Sequence, residues 1–149
     1  MPVIIKNKIS IACPVESLFG YVTQPWLWHE WHPNSKSAKA SVDNLMEGDS
    51  FDEVVELQPL LPIPITMKRQ TEYLVFGRNE ISFWEVKGIM KDGWLKIRYE
   101  FQPSSNGTDF IRTLTFEATG LSRLLMPMLK KNMEVKSLEA LNNLKDKLE

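Results

Sequence analysis

Residues 109–148 read DFIRTLTFEATGLSRLLMPMLKKNMEVKSLEALNNLKDKL, and a change of period inside them decides the fold. Up to Glu117 the period is two. Phe110, Arg112, Leu114 and Phe116 take one face, and Ile111, Thr113, Thr115 and Glu117 take the other. That is a strand. After Gly120 the period becomes helical: Leu121, Leu124, Leu125, Met128, Leu129, Met133, Leu138, Leu141, Leu144 and Leu148 recur at three- and four-residue steps. Up to 28 residues at ~1.5 Å each make a helix of about 40 Å. Pro127 sits inside this run. Either the regular helix starts near Met126 with Pro127 in its first turn, or the helix kinks there.

Upstream of that strand the period of two repeats. Strands are expected near 37–43, 50–57, 65–76, 80–87, 94–102 and 109–118. Turn chemistry separates them at Glu47-Gly48-Asp49, Pro59 to Pro64, Gly77-Arg78-Asn79, Lys91-Asp92-Gly93 and Ser104 to Gly107. A further strand opens the chain: Val3, Ile5, Ile9 and Ile11 face one way, and Ile4, Lys6, Lys8 and Ser10 the other. Pro14 then suits the first turn of a helix whose apolar stripe is Val15, Leu18, Phe19 and Val22. Pro25 ends it and starts a short helical segment, Trp26 to Trp31. The order is one strand, two short helices, six strands and a long C-terminal helix. It reads as a single α+β domain over residues 1–149: a curved seven-stranded antiparallel sheet packed on one face by the helix, its first strand paired with its last.

Composition excludes several functions. The chain has 149 residues, 43% apolar and 25% charged, with a net charge of −1. Such a chain buries about two-thirds of its unfolded surface and needs no metal or disulfide staple. No basic block supports nucleic-acid binding. One cysteine, Cys13, forms no internal disulfide, and the expected setting is a reducing cytoplasm. Lys6-Asn7-Lys8 interrupts the N-terminal apolar segment, so it does not read as a secretion signal, and no stretch suits stable membrane insertion. No P-loop, GxGxxG or GxSxG pattern occurs, and no cofactor is expected. His29 and His32 are the only histidines, and zinc usually needs a third protein ligand, so no metal site is expected.

In this order of elements, ISIACPVESLFGYV (residues 9–22), WHEWHP (28–33), EGDSF (47–51), NGT (106–108) and LNNLKDKL (141–148) resemble the START-like superfamily with the helix-grip fold. That superfamily is known from the birch-pollen allergen and steroidogenic lipid-transfer proteins. Within it, the likeness is to the bacterial polyketide cyclase/dehydrase-type group. The resemblance covers essentially the whole chain. It implies a cavity between the long helix and the concave sheet, where members hold lipids, sterols, hormones or polyketides.

Candidate site residues follow from polar groups on inward faces. Glu53 shares a face with Phe51, Val55 and Leu57; Arg69 and Thr71 share one with Met67, Tyr73 and Val75; Arg112 lies with Phe110 and Leu114. A buried sheet face carries charge only when the charge is paired or wetted. Glu53 and Arg69 lie on adjacent strands, so they could pair across the ladder. A bulge would instead turn these groups outward. Trp28 and His32 stand near one end of the cavity that the resemblance implies. Tyr73, Tyr99 and Trp84 are candidate aromatic walls, and of the strand tryptophans only Trp84, not Trp94, is so placed. Met128, Leu129 and Met133 on the helix are candidate roof residues, with methionine serving as adaptable filler.

The first functional reading is a protein that binds a hydrophobic or amphipathic small molecule, lipid- or polyketide-like. The second is a cyclase/dehydratase-type enzyme in which His32 or Glu53 moves protons. The third is a regulatory or assembly module. Its contact surface would be the apolar stretch 58–65, which reads as a lid, a homodimer contact or a membrane-touching tip, with a lid or homodimer contact slightly favoured over a loop folded back on its own core.

Overall fold

Residues 2–57 and 67–149 are described by a computed structural model. In chain order the elements are β1 (Val3–Ile11), α1 (Val15–Val22), a 3-10 helix (Pro25–Glu30), β2 (Ser35–Ala40), β3 (Ser50–Leu57), β4 (Met67–Asn79), β5 (Phe83–Met90), β6 (Gly93–Ser104), β7 (Gly107–Ala118), α2 (Leu121–Leu124) and α3 (Met126–Leu148). The seven strands form one antiparallel sheet in the order β1-β7-β6-β5-β4-β3-β2. β1 pairs with β7 from Val3↔Phe116 to Ile11↔Thr108, as the expected closure of first strand on last requires. This is the helix-grip fold: a curved open sheet with a long C-terminal helix.

Local chemistry explains the boundaries. Gly93 (φ 149°) opens β6 where a Cβ would lie 2.0 Å from the Glu117 carbonyl oxygen, so only glycine fits. Pro14 stands just before α1 rather than inside its first turn, and Glu16 meets the positive end of the helix dipole. Val15, Leu18, Phe19 and Val22 are buried as the stripe requires. Pro127 lies in the first turn of α3, the first of the two alternatives, where its missing N–H is harmless.

Two expectations change. The expected break at Gly77-Arg78-Asn79 lies inside β4, which runs to Asn79 with a bulge between Val75 and Gly77. The chain turns three residues later, with Ile81 at φ 57°. The turn-like residues there mark a bulge, which uses the same backbone freedom. The helical stripe also divides. Leu129, Leu141 and Leu144 are buried, whereas Leu124, Met128 and Leu138 face solvent. The proline-rich stretch 58–66 lies outside the described residues, and with it the lid, dimer contact and membrane tip assigned to 58–65. Among the described residues no helix is long and apolar enough to cross a membrane.

Candidate functional site

One end of the concave face is packed solid. The 3-10 helix lays Trp28 edge-on against Phe51, Trp84 and Tyr99 at ring separations of 5.5, 6.0 and 6.2 Å. Trp84 stacks on Tyr99 at 5.5 Å, and Phe51 stacks on Tyr73 at 5.1 Å. Trp28 Nε1 donates to the Val22 carbonyl at 2.8 Å, which fixes the ring. Trp31 is fully buried beside Tyr99.

Between this aromatic end and α3 the sheet leaves a cavity of about 120 Å³. Its lining is mostly apolar, with Ile97, Leu114 and Phe116 on the sheet and Met126, Leu129 and Met133 on α3. Into it project Glu53 from β3 and Arg112 from β7, each only 4% exposed. Tyr73, Tyr99, His32 and Asn34 complete this inner polar group. Arg112 Nη1 donates to Ser137 Oγ at 3.1 Å, and Ser137 donates to Asn7 Oδ1 at 2.7 Å. This chain ties β7 to α3 and β1. Arg112 Nε is buried with no hydrogen-bond partner among the described residues.

The environment sets the protonation states. Burial pushes the Glu53 carboxyl up to about 7, although Ser35, the Arg112 charge and Tyr73 all pull it down. Burial and the nearby Arg112 and Lys136 charges hold His32 well below the usual imidazole value, so its ring is neutral. His32 Nδ1 accepts the Asn34 backbone N–H at 3.2 Å, which leaves Nε2 to carry the ring proton. Burial raises both Tyr73 and Tyr99, and they remain phenols.

The whole length of this arrangement matches one family model. Residues 2–149 fit the family described as polyketide cyclase / dehydrase and lipid transport. The chain belongs to that family. Comparison with curated proteins found no match. Among solved structures, the Zhui aromatase/cyclase from Streptomyces sp. R1128 superposes with TM-score 0.77 at 8% identity, covering 99% of this chain and 94% of that one. A START superfamily protein from Mycobacterium smegmatis gives 0.71 at 13%, covering 97% and 96%. TTHA0849 from Thermus thermophilus gives 0.71 at 15%, covering 98% and 97%. At these identities the likeness is one of fold.

Within this polyketide cyclase/dehydrase family member, the candidate residues are distributed unevenly. Trp28, His32, Glu53, Arg69, Tyr73, Tyr99, Arg112, Leu129 and Met133 line the cavity. Phe51 and Trp84 do not border it, because they are consumed in the aromatic packing behind it. Met128 is 51% exposed, because it sits one residue around the helix from Leu129. Trp94, not Trp84, borders the cavity, with its ring beneath the Lys87 and Lys96 ammonium groups.

The Glu53–Arg69 pair that adjacent strands allow does not form. The β3–β4 register sets Glu53 opposite Thr71 and Arg69 opposite Val55. Arg69 instead forms a bidentate pair with Asp92, one arm Nη2 to Oδ2 at 2.9 Å. Asp92 belongs to a turn, so strand alternation gives no hint of it. Asn34, Ser137 and Gly88 are likewise absent from the sequence-based candidates. At Gly88 a Cβ would come within 2.6 Å of Thr71 Cγ2 and 3.0 Å of the Tyr73 ring. Gly88 lies opposite Tyr73 in the ladder, and its bare Cα makes room for that ring. A lone glycine inside a strand pattern is the available signal.

Proposed function

We propose that the protein binds a small amphipathic molecule, apolar along most of its length, in the cavity between α3 and the sheet. One observation carries this reading: two charged groups, Glu53 and Arg112, are buried in a cavity whose lining is mostly apolar. Burying charge is costly, and a solid apolar core would be cheaper to build. A few convergent polar groups in an apolar hollow are what orients a ligand. His32 Nε2 supplies a neutral donor there, and Arg69 with Asp92 frames the more exposed end. The family's description, which pairs cyclase chemistry with lipid transport, agrees with such a ligand. A reducing cytoplasm suits the single buried thiol of Cys13, which burial keeps protonated.

Native mass spectrometry of protein purified without added ligand tests this reading. A retained hydrophobic molecule, or thermal stabilisation by members of a hydrophobic library, is expected. The absence of both retention and stabilisation would overturn it.

A second reading, a cyclase/dehydratase-type enzyme, is favoured by the Glu53 carboxyl, which titrates near neutral pH beside the Tyr73 hydroxyl. His32 serves this reading better as donor than as base, because Nδ1 is already engaged. Glu53→Gln and His32→Ala would then abolish turnover of a polyketide-like substrate while the fold survives.

A further inference from the structure

The inner end of the cavity has more capacity to donate hydrogen bonds than the chain uses. Arg112 is 4% exposed, engages Ser137 through Nη1 and has Tyr99 beside it, yet its Nε is buried without a partner among the described residues. A buried guanidinium N–H without a protein acceptor is costly, and an acceptor oxygen from a bound molecule relieves it. His32 adds a second donor, because its Nδ1 accepts from Asn34 and Nε2 carries the proton. Carboxylate oxygens suit a guanidinium best.

Charge arithmetic then constrains the event. Glu53 and Arg112 together are neutral when both are ionised. An anion entering beside them would leave two carboxylates facing one guanidinium in a low-dielectric space, so one carboxylate must take a proton. Glu53 is deeply buried, and it is faced by Arg112 on β7, Tyr73 on β4, Tyr99 on β6 and Ser35 on β2. Arg112 and, on α3, Lys136 both act on His32, which follows the 3-10 helix. Burial keeps the two tyrosines protonated and His32 neutral, so Glu53 is the group in this cluster that changes charge near neutral pH.

We propose that the cavity selects a monocarboxylic acid with a short apolar body, seats its carboxylate on Arg112 and His32, and takes up one proton from solvent onto Glu53 as the anion enters. This rests on the reading of the cavity as a ligand site. The volume of about 120 Å³ sets the size. Octanoate is a short-chain probe of this class, and 1-octanol is its neutral counterpart.

Isothermal titration of both compounds between pH 6 and pH 9 tests the proposal. Octanoate should bind more tightly than 1-octanol at pH 6. Its Kd should stay flat below about pH 7 and rise toward about tenfold per pH unit above it. The 1-octanol Kd should not change. Buffers of different ionisation enthalpy should report uptake of up to about one proton per octanoate at pH 8. Glu53→Gln, which keeps the side-chain shape, should flatten the octanoate profile. A pH-independent octanoate Kd, or 1-octanol binding more tightly at pH 6, would overturn this inference and leave the ligand-site reading standing. If neither compound binds, this inference is overturned, and the hydrophobic-library test above decides the ligand-site reading separately.

Discussion

The two ends of the concave face are built from the same strands and filled in opposite ways. At one end Phe51, Trp84, Tyr99 and Phe110 close on Trp28 with ring separations of 5.1–6.2 Å among them. At the other, Glu53 and Arg112 face a hollow roofed by Leu129 and Met133. Phe51 and Glu53 are two residues apart on β3, and Phe110 and Arg112 are two apart on β7. The change from solid packing to cavity therefore occurs within one step along each strand. The 3-10 helix and the residue that caps it deliver two large indoles, Trp28 and Trp31, to the first end. α3 delivers flexible aliphatic chains to the second and does not fill it. On this account the first end supplies packing, and the second holds the proposed binding site.

Substitutions can break this contrast. The largest effect is expected at the aromatic end. Trp28→Ala should lower unfolding free energy by about 3–5 kcal/mol in urea, because three edge-on ring contacts go at once. A loss below about 1 kcal/mol would mean that this end is not packed as a unit.

At the cavity end, Glu53 should weaken the fold at neutral pH rather than support it. Its carboxyl sits at about 7, above the 4.5 of an unperturbed glutamate. The folded state therefore binds more protons than the unfolded state between these values. The stability this group confers is full below about pH 4.5 and is lost as pH rises through about 7. Compared with Glu53→Gln, the wild type should lose about 3 kcal/mol between pH 4.5 and pH 8. His32, held neutral in the fold, acts in the opposite sense and loses stability as pH falls below about 6.5. That contribution is common to both proteins and cancels in the difference. A flat difference would place Glu53 in contact with water.

A smaller effect is expected at the boundary between the two ends. Gly88→Ala should push the Tyr73 ring off β5 and cost about 1–3 kcal/mol by overpacking. Near-ultraviolet circular dichroism should report the displaced ring. An unchanged spectrum with unchanged stability would show that Tyr73 does not depend on the glycine.

Much of this architecture is legible in the chain because period two and period 3.6 are distinct, and they switch after Ile11, again before β2, and finally at Gly120. The alternation also assigns Glu53, Tyr73, Tyr99 and Arg112 to the inward face. It cannot give depth along that face, so Trp84 and Phe51 read as walls although they lie behind the cavity. It cannot give cross-strand register either, and a register set by distant turns decides that Arg69 meets Asp92 rather than Glu53. At Gly77 the same residues serve a turn or a bulge, and the pairing with β5 selects the bulge.

The most direct test compares two methionines five residues apart on α3. Met133 lines the cavity, and Met128 is half exposed on the opposite side. With methyl-labelled methionine, saturating 1-octanol should shift the Met133 methyl resonance, together with those of Met126 and Met90, which also line the cavity. The Met128 resonance should stay in place. A shift at Met128 with Met133 unmoved would put the ligand on the surface and contradict the account.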